Sequence, residues 1–377
     1  MFFNRFLSKS FFIYISIFVL LPTSATLFSQ TQPVGRETIQ IGPTILQVPK
    51  GWRPPSSKQL SFDNDDFNLI IYSRSFSRGE LCYIEILPKP DSVTVPTAVT
   101  ETNKKNQNQK EIGREINHHE TTTHELVHIG LTRHSVPLHK FSEGWQAMFL
   151  VPPDQTKDSY LTWTLKSKTI SKTEVLRIPI NLHQFPESKS VLPFAKEYAD
   201  PNQAKAAEIA KQIAEEREIK NRAFSVQSNW SFTNQLSHPR DLHYLTSVFY
   251  SSRLNQRYKE ENGKRIYLPP QRSIHRGTDF RGVTGAPIFA VAPGTVVLAQ
   301  QMYYEGGFTL VDHGNGIKIG YMHQNRIHVK VGDKIQAGQV IGDVGATGMV
   351  TGSHLHLSVW VNGIPGDALS LLSLPLR

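Results

Sequence analysis

Hydrophobic and polar residues alternate along most of this chain with the period of two expected of strands, and a 3.6-residue stripe emerges in one segment only. Between about residues 35 and 190, short alternating or β-branched runs recur at 38–48, 67–73, 81–87, 143–151, 160–165 and 174–180, separated by Pro, Asp, Ser and Gly. That spacing predicts an antiparallel β-sandwich. A polar stretch, residues 101–110, reads as a loop within it. Over 200–224 the pattern turns helical. Asp200 suits a cap and Pro201 the first helical position, while Ala206, Ile209, Ala210, Ile213 and Ala214 make a stripe beside Lys and Glu. This predicts a linker helix packed on a neighbouring domain. From 237 to 377 strand-type runs return with many glycines, at 286–298, 308–312, 317–321, 327–331, 339–344 and 354–361. The expected class is therefore mainly β, in two folded regions joined by a helix.

The N-terminus departs from this pattern. Arg5 and Lys9 give a basic start, residues 11–21 are apolar, and Thr23-Ser24-Ala25 is a small-residue cleavage site, so residues 1–25 read as an export signal. An apolar run of this length is short for a bilayer span, although adding residues 22–28 would make an uncleaved anchor the alternative. Either reading places the remaining chain outside the cytoplasm, in the periplasm or cell envelope, where membrane or envelope partners are accessible. The whole chain of 377 residues carries a formal charge of +9. Loss of the signal removes two cations and no acids, and the basic balance that remains suits an anionic envelope surface. No Arg/Lys cluster interleaved with aromatics supports nucleic-acid binding. The single cysteine excludes a disulfide framework, and Cys82 within Leu81-Cys82-Tyr83-Ile84 reads as a buried strand residue.

Fifteen histidines direct attention to metal chemistry. His275 and Asp279 are four residues apart with Gly277 between them, a weak signal by itself. In the alternating run 354–361, a strand puts His354, His356, Ser358 and Trp360 on one face and Leu355, Leu357, Val359 and Val361 on the other. Two imidazoles on one face can serve one site. A third element, Tyr321-Met322-His323, follows the turn Gly314-Asn315-Gly316.

The order of these motifs resembles the lysostaphin/LytM type of zinc metalloendopeptidase, which hydrolyses the peptide cross-bridges of peptidoglycan. The matching stretches are HRGTD, GAPIFAVAPGTVV, VDHGNGIKIGYMH, VKVGDKIQAGQVIGDVGATG and TGSHLH, across residues 244–371. The resemblance implies that His275, Asp279 and His356 bind zinc and that His354 and His323 are the catalytic histidines beside it. It further implies hydrolysis by zinc-activated water, with peptidoglycan as the partner. A noncatalytic relative that binds peptidoglycan or activates an amidase is the alternative; all five positions are intact here, which counts against it. One mild departure is Gln324, where the family often has Leu.

Two other motifs compete with this reading. His124-Glu125-Leu126-Val127-His128 spells the zincin signature, with His134 at the distance of a third ligand. Such a site needs a helix, yet Thr121-Thr122-Thr123 precedes it, no apolar stripe runs through it, and Leu131 stands where the glycine belongs. The crowding of His118, His119, His124, His128, His134 and His139 favours a chance match, and Met148 lies in a strand-like run rather than a tight turn. Residues 329–339 look like the hairpin of a lipoyl or biotinyl carrier, but the expected lysine at its turn is missing. In the N-terminal region, the stretches GELCYIEI, GWQAMFLVP and HQFP, followed by a helical linker and Trp230, look like the immunoglobulin-like module that precedes some LytM-type domains.

Overall fold

In the strand Phe67–Ser73 buried and half-buried residues alternate without a break, and in His354–Val361 the leucines and valines are the buried set. Side chains of successive strand residues point to opposite faces, so each run commits one face to a core. The computed structural model describes residues 35–64, 67–89, 125–131, 134–166, 171–193 and 203–377. The export signal, the 101–110 stretch, His118, His119 and His124, and the proposed cap Asp200-Pro201 lie outside the described residues.

Two sheets form the N-terminal sandwich. One runs Lys58–Asp63, Phe67–Ser73, Leu81–Pro88, Gly144–Leu150, His139–Phe141, and the other Ser171–Ile178, Ser159–Lys166, Glu125–Leu131, His134–Val136. Phe67, Leu69, Ile71, Cys82, Ile84, Ala147 and Phe149 of the first share a core with Val136, Leu161 and Ile178 of the second. Cys82 is fully buried in it. The other face of the first sheet, with Leu81, Tyr83, Met148 and Leu150, packs into the core of the C-terminal region beside Leu371, Leu374 and Leu376. Burial on both faces explains why Leu81–Pro88 reads as a continuous apolar run.

The C-terminal region is built on a larger sheet in the order Leu245–Ser247, Thr278–Arg281, His354–Val361, Ile317–Ile327, Gly306–Asp312, Gly294–Met302, Lys334–Ile335. Phe280, Ile288, Val296, Val311, Ile319, Leu355 and Leu357 fill its core. The helix Gln203–Ser225 lies against this sheet, with Ala223 packed among Leu298, Met302, Phe308 and Leu310 and Phe224 edge-on to Trp360. Among the described residues no helix is long and apolar enough to cross a membrane.

Several boundaries differ from the sequence pattern. The run 38–48 is a hairpin of Arg36–Ile41 and Thr44–Pro49, turned at Gly42 with φ +54°. The run 286–298 divides into Pro287–Phe289 and Gly294–Met302, and 327–331 forms no separate strand because Ile317–Ile327 ends there. Residues 257–273, where the sequence shows no alternating run, are largely strand. Ser252–Glu261 pairs with Lys264–Tyr267 and Gln271–Ile274, and on its other side in parallel with Glu187–Pro193. The many charged residues there hide the alternation, since both faces of this small sheet remain partly exposed.

The N- and C-terminal regions are stitched together. Gln235–Ser237 adds in parallel to Thr44–Pro49. The Arg36 guanidinium donates to Ser237 Oγ at 2.6 Å, to the His238 carbonyl at 3.1 Å and to the Arg240 carbonyl at 3.2 Å. Arg74 bridges Glu80 at 2.8 Å and Asp367 at 2.6 Å.

Candidate metal centre

Three neighbouring strands bring the candidate residues together. Asp279 in Thr278–Arg281 is directly opposite His356 in His354–Val361, and His356 is in turn opposite Met322 of Ile317–Ile327. Directly opposed residues share a face. The leucines flanking His356 are buried in the core, so the pleat turns the imidazole the other way. His275 sits just before this sheet, where its amide donates to the Ser251 carbonyl at 3.0 Å and its own carbonyl accepts from the Tyr250 amide at 2.7 Å. Gly277 makes the approach of His275 to the sheet possible, since a Cβ there would lie 2.5 Å from both His356 Nε2 and Ser358 Oγ.

His275 Nε2, Asp279 Oδ1 and His356 Nδ1 converge. The separations are 2.9 Å from His275 to Asp279, 2.8 Å from His356 to Asp279 and 3.1 Å between the two imidazoles. The far side of each ring fixes its tautomer. His275 Nδ1 faces the Val248 carbonyl at 3.0 Å, which can only accept, so that nitrogen carries the hydrogen. Ser358 Oγ donates to the Arg276 carbonyl at 3.0 Å and therefore accepts from His356 Nε2 at 2.9 Å. Both neutral rings thus turn a lone pair toward the shared point. The Arg253 guanidinium, 3.0 Å from Asp279 Oδ2, favours the ionised form of that carboxylate. An anion and two lone pairs within about 3 Å need a positive species among them. Two imidazoles and one carboxylate are the donor set of a catalytic zinc site, so these residues fit that ion.

His354 and His323 flank the triad. The His354 Nε2 atom is 3.7 Å from Asp279 Oδ1, and its Nδ1 donates to the Gly352 carbonyl at 2.8 Å. His323 donates from Nδ1 to the Thr347 carbonyl at 3.0 Å, which leaves its Nε2 as an acceptor. The ring centroids of His323 and His354 are 4.8 Å apart. Burial, reinforced by the neighbouring His354 and His356, pushes the His323 imidazole down to about 3, so it is neutral at physiological pH. Burial also pushes His356 down, against the opposing pull of Asp279. All five residues singled out in the sequence are therefore in one place.

The sequence reading missed the residues that hold these five. Arg253 donates to Asp279 Oδ2 at 3.0 Å and to Ser247 Oγ at 2.8 Å, and Ser247 Oγ is itself 3.1 Å from His275 Nδ1. Ser358 was legible as a residue on the His356 face, but its hydrogen bond was not. Arg253 carried no sequence signal, because its contact spans 26 residues and no motif marks it. Tyr321 is fully buried, and its hydroxyl oxygen accepts from the Val291 amide at 2.7 Å. His313 is buried with Nδ1 donating to the Pro293 carbonyl at 2.7 Å, and His328 sits 3.1 Å from Asp343 at the surface.

The zincin-like segment does not form the helix its chemistry requires. Glu125–Leu131 is a strand, with His128 opposite Thr164 of Ser159–Lys166, and Gly144–Leu150, containing Met148, is a strand as well.

Comparison with known proteins agrees with this geometry. Residues 273–368, which include all five site residues, match peptidase family M23. Over 146 residues, 39% of this chain and 28% of the relative, the sequence is 34% identical to the peptidoglycan DD-endopeptidase ShyA of Vibrio cholerae. Over 95 residues, 25% of this chain and 22% of the relative, it is 39% identical to ShyB, a peptidoglycan DD-endopeptidase of the same organism. Over 91 residues, 24% of this chain and 19% of the relative, it is 41% identical to lysostaphin of Staphylococcus staphylolyticus. The matches span less than a third of the length of each of these curated relatives. With its metal-binding donor set on adjacent strands and this match around it, the segment 273–368 is a peptidase family M23 domain of the lysostaphin/LytM type.

Proposed function

We propose that this chain is an exported zinc-dependent endopeptidase that hydrolyses peptide cross-links of peptidoglycan. The observation that carries the proposal is the meeting of His275 Nε2, Asp279 Oδ1 and His356 Nδ1 at separations of 2.8 to 3.1 Å, beside two further imidazoles. Relatives named as peptidoglycan endopeptidases support the substrate class. Zinc held by these three atoms would polarise a scissile carbonyl and lower the pKa of water.

The chain's own residues supply the proton chemistry. His354 Nε2 and His323 Nε2 are the two basic nitrogens left free by their backbone hydrogen bonds. One accepts the proton released by the attacking water, and the same nitrogen then donates it to the leaving amine. Before giving up that proton, the same imidazolium is placed to donate to the oxyanion. Asp279 remains ionised throughout, beside the Arg253 guanidinium at 3.0 Å.

The apolar segment 11–21 with its basic flank supports export to the periplasm or envelope, with the signal ending near Ala25. The chain then comprises the sandwich (35–190), the linker helix (200–224) and the peptidase region (237–377). The test of function is mass spectrometry of muropeptides released by the wild-type chain and by His356→Ala. A cross-link lost only with the wild type, and retained when excess chelator is present, is the expected result. Identical products from the two proteins, or full activity in chelator, would sink the proposal.

A further inference from the structure

His323 has a backbone φ of +64°, a left-handed conformation that residues with a side chain adopt only at a cost. Such a conformation persists when its surroundings fix it from several sides. Two backbone groups do so here. The His323 amide donates to the Glu305 carbonyl at 2.8 Å, and its ring donates to the Thr347 carbonyl at 3.0 Å. The turns that carry these carbonyls interlock: Gly307 N donates to Thr347 Oγ1 at 2.9 Å, Thr347 Oγ1 to the Gln324 carbonyl at 2.7 Å, and Met349 N to the Tyr304 carbonyl at 2.9 Å. Gly306 touches Thr347 so closely that a Cβ would lie 2.3 Å from its hydroxyl.

The turn at Tyr303–Gly307 is itself held from outside the M23 match, by the helix Gln203–Ser225. Glu216, 7% exposed, accepts from the Tyr303 amide through both carboxylate oxygens, at 3.1 and 2.9 Å. One turn on, Lys220 pairs with the Glu305 side chain at 2.5 Å. Gln212 donates to Glu216 at 2.8 Å and steadies that carboxylate. A continuous set of contacts therefore runs from the helix through residues 303–305 to the backbone of His323.

We infer that Glu216 and Lys220 are positioning residues for His323, so that the linker helix is a working part of the active site and not only a connector. This rests on the proposed role of His323 in proton transfer. Among the described residues, no hydrogen bond or ion pair joins the helix to His275, Asp279 or His356, so its contacts act on turnover and leave the metal triad alone.

The test uses the full chain with Glu216→Ala combined with Lys220→Met, and separately Glu216→Gln, which keeps an oxygen for the Tyr303 amide. The double variant is expected to lose about tenfold to a hundredfold in kcat, the range for a misplaced reacting group, with KM and bound zinc per chain unchanged. Glu216→Gln is expected to keep most of the turnover. Hydrogen exchange is expected to quicken at 303–307 and 321–324 in the double variant but not at 278–281 or 354–361. Wild-type kcat with unchanged exchange overturns the inference, and so does loss of zinc or faster exchange across the whole sheet, which marks a merely structural helix. If the wild-type chain hydrolyses nothing, the proposed function fails, and the local exchange pattern still decides the coupling.

Discussion

Arg253 Nη2 lies 3.0 Å from Asp279 Oδ2, the carboxylate oxygen that the two imidazoles leave free. The same nitrogen reaches Ser247 Oγ, which contacts His275, so one guanidinium steadies two members of the triad from opposite ends of the polar chain. Arg253→Ala is expected to weaken zinc binding about tenfold to a hundredfold, the usual cost of losing an outer partner of a ligand. Arg253→Lys should fall between, because it keeps the charge but lacks the planar guanidinium that places this nitrogen between both oxygens. Competition with a chelator of known affinity measures this; alanine and wild type binding zinc equally would count against the assignment.

Metal binding and turnover should separate by residue. His356→Ala removes a converging nitrogen and is expected to leave the purified protein without stoichiometric zinc. His323→Ala removes none of the three and should retain the metal while losing about 10²–10⁴ in turnover. Elemental analysis beside hydrolysis of purified cell wall distinguishes the two; zinc loss in His323→Ala would place that residue among the ligands.

Folding stability should fall with acid in a defined window. His313 is fully buried, and burial pushes its imidazole down to about 4 from an ordinary 6.5. Between those two values the unfolded chain takes up a proton that the folded chain refuses, so the free energy of unfolding drops as pH falls, by at most about 1.4 kcal/mol per unit. Above 6.5 the contribution is complete, and below 4 it levels off. His238, pushed by burial to about 3, acts with the same sign. Urea unfolding at pH 7, 6 and 5 should therefore show a slope that His313→Asn reduces without abolishing; an equal slope in both would refute the neutral buried state.

Lys318 and Asp312 form a buried pair at 3.0 Å, with side chains 2% and 1% exposed. The ammonium also donates to the Val226 carbonyl at 2.7 Å, just past the helix, and Ser228 donates to the carboxylate at 2.5 Å. Asp312→Ala strands a buried cation and is expected to cost about 3–5 kcal/mol. Asp312→Leu with Lys318→Met, which removes both charges, should recover much of that in urea unfolding. A double variant no better than the single one would show that the pair contributes more than charge compensation.

Much of the site was readable because it rests on local pattern. His354 and His356 are two apart on a strand whose alternate residues are buried, so their common face follows from the sequence, and Asp279 and His275 are separated by a glycine that the close packing requires. The strands 67–73 and 354–361 coincide with the expected runs for the same reason. What escaped was long-range or two-sided. Arg253 meets Asp279 only because charged strands at 252–274 pair with one another, and their exposure on both faces erases the alternation. Leu81, Tyr83, Met148 and Leu150 look like residues of a sandwich, but nothing local reveals that they pack against Leu371 and Leu374. The left-handed backbone of His323 is likewise imposed by tertiary contacts, not by its own preference.

The parallel pairing of Gln235–Ser237 with Thr44–Pro49 gives the chain an interlaced design, since a short strand after the helix completes a hairpin near the start. Leu46 and Val48 of that hairpin are fully buried in the same core as Phe280 and Leu355. A scission in the linker would consequently yield two incomplete fragments, each exposing a raw apolar edge. Recombined in trans, they should reassemble through that strand exchange, which makes the hairpin a natural seam for a split reporter of envelope hydrolysis.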